Sequence, residues 1–242
     1  MSVNRKEAIK PLLYLPTTEP FPEPEILGAI QAVVIDAVRD PELTHLTARA
    51  TGKAAGCLLL ARTKPAEVLT EDELGPLLGS RIDGIVLSGC RGPADVQKLD
   101  VMLKVAEAAG GIPAGRTALL AEYAITPASV LSPHSLAGVS SRLSALIFDA
   151  SALAEACGCI FSPDVKDKEV PAAVIAGRAA VVLRASEAGI VAYDILPAAA
   201  TEEASVGRCF ATSLRNGFSA VVARSPRQIT LLSRGTRYSA VR

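Results

Sequence analysis

The sequence predicts a closed, parallel (β/α)8 barrel, the TIM-barrel class, built as a single domain over residues 1–242. Three observations predict it. Short apolar runs alternate with longer segments of helical periodicity, and that order produces a parallel sheet with right-handed crossovers. The runs are continuous rather than alternating, as expected of strands buried on both faces. Eight such runs fit into 242 residues, close to the roughly 250 residues typical of this barrel, which favours closure over an open doubly wound sheet.

The strands are expected at 12–15, 32–35, 57–60, 84–87, 117–121, 143–148, 190–195 and 220–223. Between them, Pro24–Ala29 and Pro41–Ala50 read as short helices. Residues 70–78 open with Thr70 as N-cap and Glu73 at the capping-box position. In 93–109, Val96, Leu99, Leu103 and Ala106 form a helical stripe that stops at Gly110–Gly111. Residues 151–156 make a short helix, 170–188 a long one ending at Gly189, 202–215 another ending at Asn216–Gly217, and 226–232 the last. The stretches 16–24 and 162–169 read as loops rather than linkers between domains.

Composition narrows the function. Lys plus Arg number 25 and Asp plus Glu number 25, so there is no basic excess to neutralise nucleic-acid phosphates. Aromatic residues make up 4% and tryptophan is absent, which is too few for a base-stacking surface. Mean hydropathy is +0.34, yet no apolar run reaches the roughly 18 residues of a membrane span; the longest, 172–183, is broken by Gly177 and Arg178. No signal peptide is read at the N-terminus. The five cysteines are scattered without a CxxC pair and read as free cytoplasmic thiols, with Cys157 and Cys159 as buried small residues. His45 and His134 lack partners at metal-ligand spacing and read as surface residues. No nucleophile elbow, Walker A loop or GxGxxG follows a strand, which argues against hydrolase, NTPase and Rossmann readings.

Several segments share a further pattern. DGIVLSGCRGPADVQKLD (83–100), PLLYLPTTEP (11–20), AVVIDAVRDPE (32–42), RLSALIFDASALAEACG (142–158), AAVIAGRAAVVLRASEAGIVAYDIL (172–196) and NGFSAVVARSPRQI (216–229) resemble, in one consistent order, the citrate lyase β-subunit family of the HpcH/HpaI aldolase superfamily. The resemblance implies a TIM barrel and a carbon–carbon lyase or aldolase activity on a small 2-keto acid or an acyl-CoA thioester. It implies Mg²⁺ held by a Glu after strand five and an Asp after strand six, polarising a developing enolate. It also implies arginines that clamp a carboxylate, a small anionic metabolite as ligand, and a homo-oligomer, trimer or hexamer.

Motif positions depart from that pattern. The strand-one Arg falls at Glu19, the strand-four Lys at Gly89 and its neighbouring Glu at Arg91, and the strand-eight His at Arg224. Counted back without gaps from strand six, the metal positions fall on Ile125 and Ala152; matched on the strand itself, Glu122 takes the Glu position. The resemblance thus points to Glu122 and Asp149 as metal ligands, with Asp36 and Arg62 as catalytic-site residues. Each has a plainer alternative: a salt bridge of Glu122 with Arg116 or Arg142, an Asx turn at Asp36, and a solvated charge at Arg62. Because Arg62, Arg91 and Arg224 all follow strand ends, they could instead form an anion pocket. The same barrel could also serve as a catalytically inactive binding or structural subunit, since fold does not settle function.

Overall fold

Eight parallel strands close on themselves in chain order, each hydrogen-bonded to the next and the last to the first. The computed structural model describes residues 9–16, 19–38, 56–161 and 170–239, with side chains to 234; the expected helix at 41–50, His45 and the expected loop at 162–169 lie outside them. The strands are β1 (Leu12–Leu15), β2 (Ala32–Asp36), β3 (Leu58–Thr63), β4 (Gly84–Cys90), β5 (Ala118–Tyr123), β6 (Leu143–Phe148), β7 (Val191–Ile195) and β8 (Ala220–Ala223). Among the described residues the helices are α1 (Pro24–Ala29), α2 (Glu71–Gly79), α3 (Pro93–Ala109), α4 (Pro127–Val130), α5 (Ala150–Ala156), α6 (Ala172–Ala188), α7 (Glu203–Arg215) and α8 (Pro226–Ser239). None of them is long and apolar enough to cross a membrane.

Side chains alternate across each strand, and the alternation separates two cores. Leu12, Val34, Leu60, Val86, Leu120 and Ile147, with Tyr193 and Val222, fill the barrel interior. The opposite set, Leu13, Val33, Leu59, Ile85, Leu119 and Leu146, packs under the helices. The interior is thus a packed core and not a pore.

Four strands run farther than their apolar runs. β2 continues through Asp36, β3 through Arg62, β4 through Ser88 and β5 through Glu122. β3 also starts at Leu58 rather than Cys57, whose buried side chain belongs to the outer core. In β4 the pairing register shifts between Leu87 and Cys90, where Gly89 takes φ 61°, a left-handed conformation suited to glycine. The one-turn helix α4 was not anticipated; Pro127 and the Thr126 hydroxyl, which accepts from the Ser129 amide, set its start. Cys157 is exposed rather than buried, because it caps the C-terminus of α5, and Cys159 is only half-buried.

Ion pairs staple the N-terminal end of the barrel. Asp83 accepts from the Leu59 amide and from Arg116. Arg142, entering β6, reaches Glu107 and Asp100 on α3. These partners account for Arg116 and Arg142, so neither pairs with Glu122, which projects at the opposite end.

Candidate functional site

Following the interior positions to the C-terminal rim brings one polar residue from strand after strand to the mouth. Counting by two from the packed layer gives Tyr14 after Leu12, Asp36 after Val34, Arg62 after Leu60, Ser88 after Val86 and Glu122 after Leu120. Asp149 follows Ile147 just past β6, and Arg224 follows Val222 just past β8. In a (β/α)8 barrel this rim is where ligands are handled.

Arg62 is the hub. Its guanidinium meets Glu122 fork to fork, Nε to Oε1 at 2.6 Å and Nη2 to Oε2 at 2.8 Å, the bidentate geometry of a strong charge-assisted pair. Nη2 also donates to Ser88 Oγ at 3.0 Å, and Nη1 lies 3.5 Å from both Asp36 oxygens. Asp36 and Arg62 are Cα partners across β2 and β3, so the pairing register itself places them side by side. The Tyr14 hydroxyl donates to Glu122 Oε1 at 3.0 Å. Glu122 is buried, with 4% of its side chain exposed, while Arg62 and Asp36 keep 24% each.

Burial weakens the Arg62 charge, but the hydrogen bond and charge of Glu122, with Tyr14 and Asp36, outweigh it and hold the guanidinium more basic than usual. Burial, reinforced by the Glu122 carboxylate, pushes the Tyr14 phenol well above its ordinary value. Tyr14 stays a hydrogen-bond donor at any pH the protein meets.

Arg224 and Asp149 form the second pair, Nη2 to Oδ2 at 2.5 Å. Asp149 also caps α5: its Oδ1 accepts from the Ser151 and Ala152 amides at 3.0 and 3.2 Å. The Arg224 amide donates to Gln228 Oε1, and Gln228 Nε2 donates to the Pro197 and Ala200 carbonyls. This ties the loop that carries Arg224 to the loop after β7.

The structure therefore joins Asp36, Arg62 and Glu122 in one network and Asp149 with Arg224 in another. Arg91 belongs to neither. It follows the β4 bulge, half-exposed, and pairs with Glu67 and Asp95. The expected three-arginine anion pocket thus loses Arg91, and the other two arginines are each matched to carboxylates. Asp36 also accepts from the Val38 amide at 3.2 Å, so the Asx turn and the Arg62 contact coexist. Ile125 lies beyond the end of β5, and the Ala152 amide serves as a donor to Asp149, so Glu122 and Asp149 are the carboxylates in place. Tyr14 and Ser88 were missed as site residues; each sat in a run that read as core or turn, and only the two-residue count from the interior exposes them.

The donor set does not suit a divalent cation. Both Glu122 oxygens and both Asp149 oxygens are engaged by donors, and a guanidinium sits on each carboxylate. Among the described residues no group of three His, Cys, Asp or Glu side chains converges as a metal site would require. Positive charge at this mouth comes from arginine.

No family model and no curated protein matches the sequence. Solved structures do match. RipC from Yersinia pestis is similar at 19% identity and TM-score 0.69, with 94% of each chain covered. The magnesium/glyoxylate complex of malate synthase from Haloferax volcanii is similar at 16% identity and TM-score 0.75, over 96% of this chain and 76% of that one. Protein CitE from Mycobacterium tuberculosis, solved with magnesium and acetate, is similar at 16% identity and TM-score 0.69, over 95% and 92%. With these the chain shares its fold, a (β/α)8 barrel of the kind found in CitE and malate synthase.

Proposed function

We propose that the protein is a diverged citrate-lyase-β-like barrel that binds a small carboxylate metabolite, of the 2-keto acid or acyl-CoA thioester class, at a mouth organised by guanidinium groups instead of Mg²⁺. The observation that carries this reading is the pairing of both candidate metal carboxylates with arginine: Glu122 with Arg62 and Asp149 with Arg224. A fixed cation already occupies the electrostatic role that a metal would take.

Among the described residues two donor groups are open to a ligand. There, Arg62 Nη1 has only the 3.5 Å contacts to Asp36, which a ligand carboxylate can replace at small cost. Arg224 is held through Nη2 and keeps 35% of its side chain exposed. An enolate or carboxylate oxygen brought to Arg62 meets a preorganised positive charge. Ser88 and Tyr14 fix the guanidinium and its counter-ion in place.

The test is calorimetric titration with pyruvate and oxaloacetate, with and without Mg²⁺ or Mn²⁺. Binding of the keto acid in metal-free buffer, unaltered by Mg²⁺ and lost in Arg62→Ala, is the expected result. Metal binding that strengthens with the keto acid and disappears in Glu122→Gln would instead establish a Mg²⁺-assisted lyase with Glu122 and Asp149 as ligands. Silence in every titration from folded protein would leave the barrel as a binding or structural subunit for another partner.

A further inference from the structure

Charge is distributed unevenly along this neutral chain. Residues 1–203 hold all 25 acidic residues and 18 of the 25 Lys and Arg, whereas residues 204–242 hold seven Arg, no Lys and no Asp or Glu. That run contains α7 beyond Glu203 and the whole of α8, two helices that pack side by side. Val206 and Ser213 turn α7 toward the barrel, and Gln228, Ile229 and Leu232 do the same for α8. With about 3.6 residues per turn, the positions opposite these are 208 and 215 on α7 and 227 and 234 on α8. All four are Arg, and all four are exposed.

Arg208 and Arg215, like Arg227 and Arg234, are seven residues apart, which is about 10 Å along one helix face at 1.5 Å per residue. Packed helix axes lie roughly 10 Å apart, so the four guanidiniums mark the corners of one compact patch. Ala204, Ala211 and Thr212, also exposed, are small and leave the arginine heads clear. Among the described residues none of the four meets a carboxylate; Arg215 donates to Thr212 Oγ1. Elsewhere on the surface Lys64, Arg91, Lys104 and Arg116 each pair with an acidic side chain. A concentration of unpaired like charge repels itself and attracts a partner of opposite sign.

We propose that the outer face of α7 and α8 docks a short acidic segment of a different protein, whose carboxylates pair with Arg208, Arg215, Arg227 and Arg234. The planar fork of arginine takes a carboxylate through two hydrogen bonds, and protein interfaces are rich in Arg and poor in Lys. Other polyanions fit this face less well. Residues 1–203 carry seven more acidic than basic side chains, which repels a nucleic acid long enough to run past the patch. Among the described side chains of the two helices no aromatic ring is exposed to stack on a base. A helix that lies on a membrane buries an apolar face, and here Leu214 is the one large apolar side chain exposed among those described. A short acidic segment ends within the patch and avoids the repulsion around it.

The test uses the full chain and fluorescence anisotropy with three labelled probes: a helical peptide with its glutamates three and four residues apart on one face, a short DNA duplex, and vesicles rich in phosphatidylglycerol. The peptide should bind most tightly, and a peptide of the same composition with its glutamates scattered round the helix should bind more weakly. Binding should weaken at least about tenfold between roughly 0.05 and 0.3 M salt, since the paired charges lie at the surface. The fourfold variant Arg208→Gln, Arg215→Gln, Arg227→Gln, Arg234→Gln should lose it with an unchanged circular dichroism spectrum. Each helix's pair of substitutions alone should weaken it, and these milder variants keep the proposal testable where the fourfold one does not fold. Lys64→Gln with Lys104→Gln, which removes two charges elsewhere, should leave it unchanged. Peptide binding indifferent to the fourfold variant, or to the placement of the glutamates, overturns the proposal. So does tighter binding of the duplex or the vesicles. Sedimentation supplies the remaining outcome: an oligomer of the wild-type chain that the fourfold variant dissociates would make this face a contact between copies, and the proposal fails.

Discussion

Arg62 on β3 and Glu122 on β5, 60 residues apart in sequence, meet fork to fork at the barrel mouth with contacts of 2.6 and 2.8 Å. The inward curve of the barrel wall brings them together: β3 and β5 both pair with β4, and Ser88 from β4 completes the bridge. Glu122→Gln keeps the shape and removes the charge, leaving a three-quarters buried guanidinium without its main counter-ion. We expect a loss of about 2 kcal/mol of stability, within the range for breaking a partly buried pair. Urea unfolding checks it. A variant as stable as wild type would show that the pair contributes nothing net.

Among the described residues the mouth holds three carboxylates, Asp36, Glu122 and Asp149, against two guanidiniums, Arg62 and Arg224. Arg224→Gln leaves three against one and uncovers Asp149 Oδ2. Mg²⁺ affinity should rise at least about tenfold over wild type, the gain expected when one cation about 4 Å away is removed in a medium between water and protein interior. Calorimetry with MgCl₂ measures it. Equal affinity in the two proteins would mean that Arg224 does not stand in for the metal charge.

Much of this molecule was legible in the sequence, and the boundary of legibility is physical. β1, β6 and β8 match their apolar runs residue for residue, because hydrophobic burial on both faces writes a continuous signal. β2, β3, β4 and β5 outran theirs because a barrel strand turns polar inside where the core ends and the mouth begins. Asp36, Arg62, Ser88 and Glu122 are therefore strand residues that look like loop. Asp149 was assigned to metal by resemblance, but its dual use as helix cap and Arg224 partner depends on contacts 75 residues apart. Arg91 was grouped with the mouth because it follows β4; the bulge at Gly89 breaks the alternation that would have placed it. No local pattern announces which of several arginines and carboxylates will pair across a closed sheet.

Acid should weaken the fold through Glu107. Burial alone would raise its pKa, but hydrogen bonds from Arg142 and from the Thr117 and Gly115 amides outweigh it and bring it from 4.5 down to about 2. A depressed carboxylate contributes stability that is fully present above its unfolded pKa and is lost as pH falls through the folded one. The loss belongs to the window from about pH 4.5 to pH 2 and amounts to about 3 kcal/mol. Asp194 runs the other way: burial, opposed by Arg178 and Ser213, holds it above its ordinary value, and its Oδ1 has no partner among the described residues. Its cost at neutral pH is relieved on acidification. Glu107→Gln should therefore lower stability at pH 7 and flatten the stability curve below pH 4.5. Melting temperatures from pH 7 to 2 that run parallel in the two proteins would refute the assignment.

Two glycines on helices should respond in opposite directions to the same substitution. A Cβ at Gly177 on α6 would stand 2.2 Å from Leu153 Cδ2 and 3.0 Å from Phe148 Cε2. Leu153 is fully buried, and Phe148 is stacked on Phe218 at 6.2 Å with the Arg178 guanidinium 5.6 Å from each ring. The neighbours have little room to give, so Gly177→Ala should destabilise by about 1–3 kcal/mol, the cost of overpacking a filled site, after helix propensity returns up to about 1 kcal/mol. Gly207 on α7 has nothing within 4 Å of its Cβ position, and there the propensity gain stands unopposed. Gly207→Ala should stabilise by up to about 1 kcal/mol. Thermal unfolding of the two variants side by side decides it: a Gly177→Ala protein as stable as wild type would show that α6 lifts off the barrel at no cost, and the close approach of that helix would not be a constraint on the fold.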